Sequence, residues 1–92
     1  MSDRAYRDLY YEQPHVQREF ERLVQRIRDA ERAREPISAR QRQAERAVET
    51  GAISNAEFRS ADDAYIAANN AIAAAQRAVD AFLRTHRNYR TR

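Results

Sequence analysis

Apolar residues recur along most of this chain at alternating intervals of three and four, the signature of helices that pack along one stripe. The longest series runs Phe58, Ala61, Tyr65, Ala68, Ile72, Ala75, Val79 and Phe82, and formally continues to His86 and Tyr89. It predicts a helix over roughly residues 55–86, about 48 Å long at 1.5 Å per residue. Large side chains alternate with alanine along it, a combination that lets two helices approach closely. A second series, Val16, Phe20, Leu23, Ile27 and Ala30, follows Pro14, a residue well tolerated in the first turn of a helix. The positions between its members carry charges of both signs three or four apart, such as Arg18–Glu21 and Asp29–Arg32, as a solvated face does.

Pro36 interrupts the second series. Proline removes a helical hydrogen bond and crowds the preceding turn, so a stop or kink is expected near Arg34, with Ser38 and Gln41 forming a fresh capping box. The spacing nevertheless continues in phase through Ile37, Ala44 and Val48, which predicts one kinked arm in two pieces facing the same neighbour. The two arms meet at residues 50–58. Gly51 is suited to the left-handed conformation that closes a helix. Ser54 and Glu57 have the spacing of a capping box, and Ile53 and Phe58 occupy the two ends of a hydrophobic staple. At the other end, Ser2 can cap a short helix over roughly Asp3 to Glu12. Its tyrosines, Tyr6, Tyr10 and Tyr11, are expected to be half buried, with hydroxyls reaching water or a partner.

The predicted fold is therefore all-α: an antiparallel coiled-coil-like helical hairpin, its first arm kinked near Pro36, with a short N-terminal helix and three to four helices in total. Residues 1–86 form the single helical domain and residues 87–92 a frayed basic tail. Further alanines at 64, 67, 71, 74, 78 and 81 widen the apolar face of the long helix beyond one seam. A wide face on a helix of few charges asks for a second neighbour. It predicts self-association as a homodimer, or docking on another protein, with Tyr65, Ala68, Ile72, Ala75, Val79 and Phe82 as the partner-binding face.

Composition narrows the class of function. The chain has 92 residues, no cysteine, one glycine and two prolines, so neither a disulfide framework nor a thiolate metal site can staple it. No stretch approaches the roughly 20 apolar residues of a membrane span, and the first residues are charged. A cytoplasmic protein is expected, without membrane partner or small-molecule substrate. All 17 basic residues are arginine. Together with the frequent alanine, this fits a GC-rich genome, and the compact lysine-free chain fits a phage or mobile-element origin, with the virion or host cytoplasm as its place.

Chemistry is sparse. His15 and His86 lie in different elements with no ligand-spaced companions, and the adjacent Asp62 and Asp63 project to different sides of a helix. No glycine-rich loop is present to cradle phosphates. The expectation is no catalysis, no cofactor and no metal. The last nine residues hold four arginines and no acid. Arg84, Arg87, Arg90 and Arg92 can neutralise phosphates or grip an acidic partner protein, with Tyr89 stacking on a base, so nucleic-acid binding is the alternative function.

The stretch Ala44 to Phe58 resembles the hairpin tip of bacterial membrane-fusion (periplasmic adaptor) proteins. In that family an Arg, a Leu and a Ser at set spacing dock the tip end-on against a channel; here the hairpin tip, Gly51, Ile53, Ser54, Glu57 and Phe58, is foremost the turn that makes the hairpin and, being exposed, also a candidate docking point. Only Ser54 falls into place; Ala47 stands at the Leu position and Gln43 at the Arg position. Capping rules common to such turns account for the match, and the family's function is not carried over. The expected work is non-catalytic protein–protein interaction or assembly through Ala-rich helix faces, as an assembly factor, inhibitor, modulator or small virion component.

Overall fold

The computed structural model of the chain describes residues 6–92, and nearly all its regular structure lies in two helices running back against each other. The elements are β1 (Leu9–Tyr10), α1 (Pro14–Glu49), α2 (Asn55–Thr85) and β2 (Arg90–Thr91). β1 and β2 pair antiparallel, Leu9 opposite Thr91 and Tyr10 opposite Arg90. The result is a helical hairpin in the form of a rod, 57 × 19 × 16 Å.

The turn between the helices has Gly51 in the left-handed conformation and Ser54 as the cap of α2. Gly51 has φ +77°, and its N–H donates to the Val48 carbonyl (3.2 Å) while that of Ala52 donates to Ala47 (2.8 Å). These two bonds satisfy the last carbonyls of α1. Ser54 then caps α2, its Oγ accepting from the Glu57 N–H at 3.1 Å. The Glu57 carboxylate turns to the Ser54 hydroxyl (3.4 Å).

The core lies at the end remote from the turn. Val16, Phe20, Val24 and Ile27 of α1 meet Ala75, Val79 and Phe82 of α2, and Tyr6 and Tyr11 close the end over them. Ile27 and Val79 are fully buried. Val24 takes the inward position that strict three-four spacing assigned to Leu23, which is half-buried beside it. The terminal segments add a third packing partner here, so α1 buries a stripe wider than a two-helix seam. Toward the turn the hairpin is thinner, with the small residues Ala44 and Ala61 buried. Two polar positions of α1 bond across it: Arg34 Nη1 donates to Asn69 Oδ1 (2.9 Å) and Gln41 Nε2 to Asp62 Oδ1 (3.4 Å). A step of seven along α1 matches a step of seven back along α2, as antiparallel packing requires.

Three expectations need correction, and the first two reduce three or four helices to two. First, α1 is continuous through Pro36. Pro36 is exposed, and the carbonyl left without its usual donor belongs to exposed Arg32, where water can reach it. Ile37 and Ala44 stay packed on the same side, so the proline does not end the helix. Ser38 caps nothing: its Oγ accepts from Arg42 Nη1 at 2.8 Å. Second, the helix expected over Asp3 to Glu12 is replaced, from residue 6 on, by a turn and β1; its first residues and the Ser2 cap lie outside the described residues. Tyrosine favours extended structure, and Pro14 restricts Gln13 to the extended backbone it shows (φ −77°, ψ 120°). Third, the tail is ordered into β2 rather than frayed, held further by the Arg92 N–H donating to the Asp8 carbonyl (2.6 Å).

Candidate interaction surfaces

Three surfaces of the rod are candidates: the end where the termini meet, the tip, and the side of α2 turned away from α1.

At the terminal end an aromatic cluster is built from both helices and both tails. The Tyr11 ring lies edge-on to Phe20 (5.4 Å), Phe82 (5.5 Å), His86 (6.2 Å) and Tyr89 (6.1 Å). Phe82 stacks on His86 at 4.1 Å, and His86 Nδ1 lies 3.2 Å from the Phe82 carbonyl. The tyrosine hydroxyls expected to reach outward are used within the chain. Tyr6 donates to Asp80 Oδ1 (2.8 Å) and Tyr11 to the His86 carbonyl (2.6 Å). Burial, reinforced by the Asp80 carboxylate that accepts its proton in a hydrogen bond, pushes the Tyr6 phenol from 10.0 up to about 12. Burial raises Tyr11 as well, with Tyr89 adding to it. Gln17 accepts the Tyr11 backbone N–H (2.7 Å), tying the N-terminal segment to the first turn of α1. None of this was legible as helical periodicity, because the segments that carry it are not helical.

Around this cluster the tail arginines are exposed but not equivalent. Arg84 and Arg87 stand along one side, Arg87 Nε donating to the Arg84 carbonyl (3.2 Å). Arg90 pairs with Glu12 (3.2 Å), and the Arg92 guanidinium sits 5.5 Å over the Tyr10 ring. Tyr89 remains 39% exposed. A cleft of about 330 Å³ opens beside β1, with Leu9, Phe20 and Val24 as its apolar wall and Arg7, Arg28, Arg92 and Glu21 on its polar side. Glu21 accepts from Gln17 Nε2 at 2.9 Å. His15 is exposed on the first turn of α1.

At the tip, Gly51, Ser54 and Glu57 are exposed and Ile53 and Phe58 half-buried. Behind them a groove of about 350 Å³ runs between the helices where Ala44, Ala47 and Ala61 leave space, with Arg40 and Glu57 on its margins. Among the described residues, no group of three or more His, Asp or Glu is arranged to hold a metal ion, and no helix is long and apolar enough to cross a membrane.

The third surface is the least charged. Of the residues expected to bind a partner, Ile72, Ala75, Val79 and Phe82 are buried and Tyr65 and Ala68 half-buried, all within the hairpin's own seam. The side of α2 opposite that seam is open. It presents Asp63, Ala67, Asn70, Ala71, Arg77 and Ala81, with Ile66 49% exposed on its flank. Residues 64–76 contain no charged side chain, whereas the exposed faces of α1 carry charges in nearly every turn. Asp62 accepts from Gln41, while Asp63 points outward, so the adjacent carboxylates are separated by the helix.

No protein-family model matches the chain, and no curated protein or solved structure is significantly similar to it.

Proposed function

We propose that this chain is a non-catalytic interaction or assembly protein that binds a protein partner, or itself, through a helix face. The observation that carries the reading is the uncharged outward side of α2 around Ile66, Ala67, Asn70 and Ala71, on a chain that is 34% charged residues overall. Small side chains there let another helix approach to about 8 Å, and between residues 64 and 76 no charge has to be desolvated when it does. The seam residues Tyr65, Ala68, Ile72, Ala75, Val79 and Phe82 contribute by holding α2 straight and in register against α1. A coiled-coil geometry for that seam belongs to the same proposal.

The nucleic-acid reading draws on a different surface. Arg84 and Arg87 are exposed beside the 39%-exposed Tyr89 ring, and nothing acidic follows Asp80. One set of variants separates the two. Ile66→Asp with Ala67→Arg changes only exposed positions and should keep the wild-type circular dichroism and melting curve. The proposal expects it to lose association, read as the light-scattering mass of the tagged chain's purified complexes. Replacing Arg84, Arg87, Arg90 and Arg92 by alanine should leave that mass unchanged. Unchanged association in the first variant sinks the proposal. Binding of a short single strand that weakens steeply with salt, and vanishes in the tail variant, establishes the other reading.

A further inference from the structure

We infer that the partner seated on the outward face of α2 is a second copy of this chain, its α2 running antiparallel and crossing the first at Asn70. The inference rests on the proposed use of that face and names its occupant. Asn70 is the midpoint of α2 (Asn55–Thr85), so antiparallel pairing about it overlays the two helices along their whole length. The nearest charges on the outward face are Asp63 and Arg77, each seven residues from Asn70, one on either side. Seven residues are two turns, so both lie on the same stripe as Asn70, about 10 Å away in opposite directions. In the antiparallel pair, Asp63 of each copy meets Arg77 of the other, twice by symmetry. A parallel pair would set Asp63 against Asp63 and Arg77 against Arg77. Within one chain, neither Asp63 nor Arg77 has a hydrogen bond or ion pair among the described residues.

Asn70 against Asn70 at the centre is the kind of single polar contact that fixes register in paired helices.

Sedimentation equilibrium on the full chain and three variants tests this. Asp63→Arg and Arg77→Asp each place like charges together at both ends of the antiparallel pair and should weaken the dimer by about tenfold or more. The double exchange, Asp63→Arg with Arg77→Asp, restores opposite charges only in the antiparallel arrangement and should recover wild-type affinity. All four proteins should share one melting curve at dilutions where they are monomers, because both positions are exposed. A dimer indifferent to the single reversals, or one the double exchange fails to restore, overturns the proposed pairing. A wild-type chain that stays monomeric overturns the second copy as occupant, while loss of a different protein's binding in the Ile66→Asp, Ala67→Arg variant would still uphold the outward face as an interaction surface.

Discussion

Tyr6 shows how much a single side chain contributes at the terminal end. It is 3% exposed, and its hydroxyl ties the N-terminal segment to Asp80 of α2. Removing the hydroxyl in Tyr6→Phe leaves the half-buried carboxylate without that donor, a loss of about 1.5 kcal/mol for a bond to a charged group. For a domain of this size that corresponds to a fall of roughly 10 °C in Tm, measurable by thermal circular dichroism. The same residue predicts an alkaline limit. Below pH 10 the phenol is protonated in folded and unfolded chains alike, so pH has no effect through it. Between pH 10 and about 12 the unfolded chain loses the proton while the folded chain keeps it. Stability therefore falls as pH rises through that window, by up to about 2–3 kcal/mol. Tyr11, also raised, acts in the same direction. Denaturant midpoints taken from pH 8 to 12 should decline beyond pH 10 in the wild type and decline less in Tyr6→Phe; equal slopes would contradict the assignment.

Among the elements, α1 holds an avoidable cost at Pro36. The helix continues because packing at Arg34, Ile37, Gln41 and Ala44 holds both halves against α2. Proline in a helix interior is unfavourable by about 3 kcal/mol relative to alanine, so Pro36→Ala should raise the denaturant midpoint by an amount equivalent to about 1–3 kcal/mol. An unchanged or lowered midpoint would mean that the ring itself is needed. The same competition explains what could be read from the chain in advance. The α2 seam was legible from Phe58 to Phe82, since every one of its positions is buried or half-buried and none conflicts with helix propensity. The turn at Gly51 and Ser54 was legible because capping is local chemistry. The continuity of α1 was not, because a local breaker was overruled by partners on the other helix. Nor was the pairing of β1 with β2: two-residue strands some 80 positions apart have no period, and they meet only after the hairpin has brought both ends of the chain together. The outward face was half legible. Its alanines were visible as excess apolar width, but the sequence reading placed the partner-binding residues on the seam itself, which α1 covers.

As a whole, the molecule is a rod with a different character at each place: an aromatic, arginine-rimmed end, a capped tip, and one uncharged side midway between them. In the middle of α2 the inner side, with Ile72 and Ala75 buried, carries the fold, while the outward side is open. Pairing two rods side by side about Asn70 doubles the mass while leaving the length nearly unchanged; joining them through the tips or the basic ends doubles both. Small-angle X-ray scattering over a concentration series from about 10 μM to 1 mM reads both quantities at once. The predicted result is a mass that rises from 10.8 kDa towards twice that value, with a longest dimension that stays near the 57 Å of one hairpin. A mass that never leaves 10.8 kDa, or a doubled mass in a particle nearly twice as long, would contradict it.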